Sequence, residues 1–355
     1  MTSTATRTAT VLAAVDERLE AVLAEERRRA GELDAGAVGL WDELLISVAG
    51  GKRLRPRLVV EPFLALGGRD LAAAVDVAVA MELLHSCLLL HDDVIDRDLD
   101  RRGGRNLIGR HRDAAMAAGL DPERARHWGE SSAIIGGDLL LAAAVRIVAL
   151  LDIDRARRAR LLGILDDALL LAASGEQADV AFSSGVWTPG VDDLRRMMRG
   201  KTSGYSFEAP LSAAAVLAGA GEPLITALGE IGRSLGVLFQ LQDDLLGVFG
   251  DGSETGKSTL SDLREGKQTL LIAYARGTDP WERVADEHFG KPTLDDRGAA
   301  VLRRALIDSG ALERVQVDML LEVQRIETLT SDENLPDRLR ELLRREVARA
   351  RERRS

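Results

Sequence analysis

Two short stretches of this sequence set carboxylates on strongly apolar backgrounds. The first is Leu88-Leu89-Leu90-His91-Asp92-Asp93-Val94-Ile95-Asp96. The second is Phe239-Gln240-Leu241-Gln242-Asp243-Asp244-Leu245-Leu246-Gly247. On a helix, Asp92 and Asp96 are four residues apart and share a face. Like charges at that spacing repel, and a cation bound by both removes the penalty. Carboxylate oxygens suit Mg2+, which takes one or two such ligands together with waters and substrate phosphates. Taken alone, the first stretch also reads as a helix reaching solvent with an acidic tip. The second stretch adds Asp243 and Asp244 one turn after Gln240, and the two together suggest facing acidic helices that hold metal and clamp a diphosphate.

Positive charge to balance a diphosphate is at hand. Lys52, Arg55, Arg101, Arg102, Lys201, Lys257 and Lys267 all fall at breaks or expected helix ends. Arg102 is the most informative because Gly103 and Gly104 follow it: a forked guanidinium in a tight turn matches phosphate oxygens. His85 lies seven residues before Asp92 and shares its face, although a lone helical His also commonly sits satisfied in a core. The stretch 252–258 is no P-loop, since Asp251 stands where a glycine is needed and no strand precedes it. Neither a Ser-His-Asp nor a Cys-His signature is present.

The elements that must carry these groups are helices. Ala, Leu and Arg dominate, aromatics are 3%, and β-branched residues never alternate in runs. Apolar periodicity predicts helices over about 9–32, 40–48, 71–96, 127–150, 154–180, 191–218, 223–250, 268–287, 298–309, 311–329 and 335–353. Gly50-Gly51 breaks the chain before a basic helix entry at 52–57, where Pro56 suits a first turn. Residues 101–106 form a Gly-rich turn, and 251–267 reads as a mobile loop. With no solenoid repeat and no linker, the expectation is all-α, a single-domain helical bundle over residues 1–355.

Composition narrows the function classes. A net charge of −10 argues against nucleic acid as the main partner. The one cysteine, Cys87, excludes an internal disulfide and fits a reducing, cytoplasmic setting. Asp16, Glu17 and Glu20 interrupt the early apolar run, which speaks against a signal peptide. No window of about 18 uncharged apolar residues occurs. The longest candidate, 71–90, carries Asp76, Glu82 and His85 and reads as a buried helix, so no transmembrane segment is expected.

In their order along the chain, these residues resemble the trans-polyprenyl diphosphate synthase family, which includes farnesyl and geranylgeranyl diphosphate synthases. The likeness runs from about residue 50 to 267. It covers both aspartate-rich motifs, the Gly50-Gly51-Lys52-x-x-Arg55 segment, the Arg101-Arg102 pair and the Lys201-Thr202 dipeptide. The resemblance implies an isoprenoid-synthase-type bundle around a central cavity, a homodimer, and three Mg2+ per active site. It also implies head-to-tail condensation of isopentenyl diphosphate with an allylic diphosphate: dimethylallyl, geranyl or farnesyl.

By position, Asp92, Asp96 and Asp243 match the magnesium ligands, with Asp93 and Asp244 beside them. Arg101, Lys201 and Lys257 match grips on the allylic diphosphate. Lys52, Arg55, His85 and Arg102 match the isopentenyl diphosphate pocket, and Lys267 joins the substrate-binding set. Thr202 and Gln240 match positions near the reacting carbons, and Glu176 and Asp179 a polar helix position facing the cleft. Gly247 departs from the family pattern, which usually has a third aspartate there. A class I terpene cyclase would need a second motif of Asn, Ser and Glu, and the two asparagines, Asn106 and Asn334, do not fit one. A non-catalytic partner subunit would be expected to lose more ligands than this. Leu88 and Cys87, upstream of Asp92, are not aromatic, so the expected product is mainly C20 geranylgeranyl diphosphate, with farnesyl or longer products as alternatives.

Overall fold

A computed structural model describes residues 4–101, 103–250, 260–331 and 335–352. Helices dominate them, as the composition predicts, and among the described residues the strands form one two-stranded antiparallel hairpin pairing Asp100–Arg101 with Gly104–Arg105. Internal packing divides the chain into two compact units. One comprises Met1–Leu165 and Pro210–Gly221, the other Asp166–Ala209 and Glu222–Ser355.

The first unit contains α1 (Thr4–Ala30), α2 (Ala35–Val48), α3 (Leu54–Ala65), α4 (Leu71–Ile95), α5 (Leu107–Ala117) and α6 (Pro122–Ala149). Its centre is α4. Asp70 caps this helix, its side chain accepting the Ala73 N–H at 3.0 Å, a bond worth about 1 kcal/mol. From Ala73 to Cys87 most side chains are buried, because α3 and α1 pack on α4 along with α6. A helix covered on several sides needs no polar face, and α4 has almost none.

Helix α7 (Arg155–Ser183) carries the chain from the first unit to the second. The second unit then contains α8 (Val191–Met198) and a π-helix (Arg199–Glu208); α9 (Ala209–Ala218) returns to the first unit from Pro210 on, and the long α10 (Glu222–Phe249) belongs to the second. Helices α11 (Ser261–Glu265), α12 (Leu270–Ala275), α13 (Asp279–His288), α14 (Asp296–Asp308), α15 (Ala311–Thr330) and α16 (Asp337–Arg351) complete it. A core of Leu241, Val248, Leu263, Leu271, Trp281 and Leu302 ties α10 to the shorter helices.

Three expectations change. The stretch 191–218 is not one α-helix, since ten residues of π-helix interrupt it. The stretch 268–287 is two helices, broken around Gly277, whose φ of +78° ends the first. Part of the expected loop is helical, at Ser261–Glu265, while 251–259 lie outside the described residues. Among the described residues, α4, α6 and α10 are long and apolar enough to cross a membrane when up to two charges are allowed, yet 72% of the α4 window is buried inside the protein.

Candidate active site

In the first unit, the acidic stretch is the last turn of α4. Asp92 is half-buried, Asp93 is 2% exposed and Asp96 is exposed. Asp96 is the C-cap, and its N–H donates to the Asp92 carbonyl at 2.8 Å. This turn brings a carboxylate oxygen of Asp92 within 4.8 Å of one from Asp96. Asp93 turns inward instead and accepts from Arg101 Nε at 2.7 Å and from Arg101 Nη2. Arg101 Nη2 also lies 3.4 Å from Asp92 Oδ2. Burial pushes the Asp93 carboxyl above its ordinary value, against the pull of the guanidinium. Arg102 lies outside the described residues.

The hairpin that delivers Arg101 is tied down by a residue whose role sequence reasoning missed. Asn106 caps α5 by accepting the Gly109 N–H at 2.8 Å, and its amide donates to the Asp98 carbonyl at 2.9 Å. An Asn before an apolar run is a helix-start signal, and that was the available clue.

At the basic entry, Lys52 is exposed, Arg55 half-buried, and His85 on α4 buried. Between the first two sits another missed residue. Arg53 has a left-handed backbone with φ +46°, following Gly50 and Gly51 at +74° and +91°. Its Nε donates to Asp16 Oδ1 at 2.7 Å, and its Nη1 to buried Glu82 Oε1 at 2.8 Å and to the Val48 carbonyl at 3.1 Å. Arg53 therefore pins α1, the end of α2 and α4 together, and its neighbours Lys52 and Arg55 are carried on that anchor.

In the second unit, Lys201 and Thr202 ride on the π-helix. A Cβ on Gly175 of α7 would fall against the Lys201 backbone, 2.8 Å from its Cα, and one on Gly200 would stand 2.6 Å from the Leu171 carbonyl oxygen. Two missing side chains thus let the backbones touch. At that crossing Lys201 Nζ meets Asp179 Oδ2 at 2.6 Å and Glu176 Oε2 at 3.0 Å. Helix α10 presses on the other side through Gly232 and Gly236, where a Cβ would come within 2.7 Å of Glu208 Cα and 2.5 Å of Ser203 Cα. Gln240 and Asp244 continue the same every-fourth-residue ridge.

A chain of polar contacts follows along that ridge. Thr202 Oγ1 donates to Gln240 Oε1 at 2.8 Å, Gln240 Nε2 donates to Asp244 Oδ1 at 3.0 Å, and Lys267 Nζ donates to the same oxygen at 3.3 Å. Attraction to Asp244 raises the Lys267 ammonium above its ordinary value, while burial pushes the Asp244 carboxyl up. Asp243 is half-buried beside it. Lys257 lies outside the described residues.

The two acidic helices follow one plan. In each, the second aspartate is buried against a cation from later in the chain, Asp93 with Arg101 and Asp244 with Lys267. In each, the aspartate before it is only half-buried. Asp92, Asp96 and Asp243 offer carboxylate oxygens alone, the donor type that suits a hard divalent cation.

The polyprenyl synthetase family model matches residues 43–303, a span that includes both acidic helices. Geranylfarnesyl diphosphate synthase of Aeropyrum pernix is 34% identical over 289 residues, covering 80% of this chain and 84% of the relative. Geranylgeranyl diphosphate synthase of Methanosarcina mazei is 32% identical over 314 residues, covering 87% and 85%. The crystal structure of a Corynebacterium glutamicum geranylgeranyl pyrophosphate synthase, complexed with isoprenyl diphosphate and magnesium, matches with a TM-score of 0.87 at 28% identity. It covers 97% of this chain and 99% of that one. The fold, the paired acidic helices and a family match over most of the chain agree, and the protein belongs to the polyprenyl synthetase family of prenyltransferases.

Proposed function

We propose that this protein is a magnesium-dependent trans-prenyltransferase that condenses isopentenyl diphosphate head-to-tail with an allylic diphosphate, giving mainly geranylgeranyl diphosphate. The observation that carries the reading is the shared plan of α4 and α10, in which a buried aspartate locked to a cation holds a half-buried aspartate in place. Asp92, Asp96 and Asp243 would hold the metal, three ions per site. When bound, Mg2+ neutralises charge on the leaving diphosphate and favours ionisation of the allylic C–O bond.

The other residues bind and orient. Arg101, Lys201 and Lys257 grip the allylic diphosphate, while Lys52, Arg55, His85 and Arg102 hold isopentenyl diphosphate, with Lys267 beside the second acidic pair. Thr202 and Gln240, joined by a hydrogen bond, would stand near the reacting carbons, where oxygen dipoles stabilise a developing cation. The isopentenyl double bond then forms the new C–C bond, and the released diphosphate accepts the proton lost. No side-chain nucleophile takes part.

Residues 1–355 act as one catalytic domain in this reading, because each compact unit is assembled from two separated stretches of chain. The working form is a cytoplasmic homodimer. Exposed Trp128, Ile134 and Ile135 on α6 support a second copy as the cover for that face.

The test is product analysis of the purified chain with isopentenyl diphosphate and each allylic primer, with and without a chelator. A C20 product that disappears on chelation and returns with Mg2+ is expected. Absence of prenyl transfer from every primer would overturn the reading and favour a non-catalytic partner subunit.

A further inference from the structure

The hairpin that follows α4 is fastened at separate points. Its outgoing strand is held to α4, where Arg101 Nε donates to Asp93 Oδ1 at 2.7 Å. Its return strand is held by α5, where Arg110 Nη1 donates to the Arg105 carbonyl at 2.7 Å. The same guanidinium reaches α2. Its Nε donates to Glu43 Oε2, and its Nη2 to Ser47 Oγ at 3.0 Å. Ser47 Oγ donates its own proton to the Glu43 carbonyl at 2.8 Å, which leaves its lone pairs to accept from Arg110. One planar fork thus serves three acceptors on two elements, a task that a guanidinium suits and a single ammonium does not.

Helix α5 has little room to shift under this fork. A Cβ on Gly109 would fall against the Leu99 carbonyl oxygen and 2.9 Å from Arg105 Cδ. On α6, a Cβ at Gly129 would stand 2.6 Å from the Ile108 carbonyl oxygen. The backbone of α5 therefore touches the chain before the hairpin at one point and α6 at another. Arg110 and Glu43 each keep 25% side-chain exposure, so water screens their pair only in part.

The last turn of α2 also carries the basic entry. The Val48 carbonyl, next after Ser47, accepts from Arg53 Nη1 at 3.1 Å, and Arg53 stands between Lys52 and Arg55 in sequence. Two arginines thus grip one helical turn, Arg110 from the side of the hairpin and Arg53 from the basic entry.

We infer that Arg110 is a positioning residue for the isopentenyl diphosphate pocket: through the last turn of α2 it sets the spacing between the hairpin and the entry that carries Lys52 and Arg55. A diphosphate shared by cations from both segments needs them at one separation, and Arg110 holds that separation without touching substrate. The allylic grip of Arg101 is held independently, by Asp93 of α4. The inference deepens the prenyltransferase reading above and rests on it.

The experiment is steady-state kinetics of the full chain with each substrate varied in turn, beside thermal unfolding. The proteins are wild type, Arg110→Ala, Arg110→Lys, Glu43→Ala and Ser47→Ala. Arg110→Ala is expected to raise KM for isopentenyl diphosphate about tenfold, inside the roughly hundredfold that a misplacement of about 1 Å can cost. Both kcat and KM for the allylic diphosphate should stay near wild type, a split that general destabilisation would not produce. Arg110→Lys should fail to rescue, because it keeps the charge and loses the fork. Glu43→Ala supplies a test of sign. Removing a negative charge near a diphosphate pocket would by charge alone lower KM, whereas displacement of the hairpin raises it, and a rise is expected. Ser47→Ala cuts one contact, should give a smaller rise, and with Glu43→Ala serves if Arg110→Ala does not fold. Full rescue by Arg110→Lys, a lowered KM in Glu43→Ala, or equal losses for both substrates would overturn the inference. So would a wild-type KM for isopentenyl diphosphate in folded Arg110→Ala. Absence of prenyl transfer by the wild type from every primer would instead sink the reading on which the inference rests.

Discussion

Thr202 Oγ1 donates to Gln240 Oε1 over 2.8 Å, joining a π-helix to the face of α10 that carries the second acidic pair. The Gln240 amide passes the connection on to Asp244. One side chain therefore orients both the hydroxyl and the buried carboxylate.

Gln240→Leu should keep the volume and break both contacts. Two hydrogen bonds at about 1 kcal/mol each correspond to a loss of about thirtyfold. We expect the loss in kcat, with KM for isopentenyl diphosphate near wild type. Steady-state kinetics checks it, and a change confined to KM would contradict a role near the reacting carbons.

The adjacent aspartates should behave differently. Asp92→Ala and Asp243→Ala should abolish turnover while unfolding stays near wild type, since both side chains are only half-buried. Asp93→Ala leaves Arg101 without the partner that its Nε meets at 2.7 Å. Breaking such a buried pair costs about 3 kcal/mol or more, so Asp93→Ala should lower the urea midpoint as well. Equal stability in all three variants would refute the division of labour.

Gly175→Ala tests the helix crossing. Its Cβ would press on the Lys201 backbone, and neither backbone can yield cheaply. The variant should lose stability by about 1–3 kcal/mol, as overpacked sites do, and raise KM for the allylic substrate through displaced Lys201. Wild-type melting and kinetics together would show that the crossing is loose.

Chain length should respond to residues on α4. Leu88 is one turn before Asp92 and only partly buried, whereas Met81, three turns before it, is 2% exposed. Leu88→Phe should shorten the product, and Met81→Ala should lengthen it. Chromatography of the dephosphorylated alcohols reads both, and unchanged products in both variants would remove this helix as the floor of the chain-length pocket.

Stability should fall on mild acidification. Burial lowers the pKa of His111, whose Nε2 is enclosed without a hydrogen-bond partner and whose ring meets Trp128 edge-on. The folded protein thus binds this proton less readily than the unfolded chain. The contribution is complete above the ordinary value of 6.5 and is lost as pH falls through it toward the lower folded value. Denaturant midpoints at pH 7.5 and 5.5 should differ less in His111→Phe than in wild type; an equal difference would exclude His111 as a source.

Spacing along single helices was readable from the residues alone, because 3.6 residues per turn sets which side chains share a face. That is how Asp92 with Asp96, Gln240 with Asp244, and the apolar all-round character of α4 were legible, and with them the helical class and the family. Tertiary packing decided the rest. The π-helix under Lys201 exists where Gly175, Gly200, Gly232 and Gly236 let three backbones approach, and each glycine in isolation is an ordinary residue. Arg53 rather than Lys52 anchors the basic entry, because its partners Asp16 and Glu82 are 37 and 29 residues away in sequence. Gly247 reads as a missing acid along the chain, and only the fold sets the Asp262 carboxylate beside it. Periodicity is a property of local backbone geometry, whereas charge pairing and close approach depend on which distant segments the core presses together.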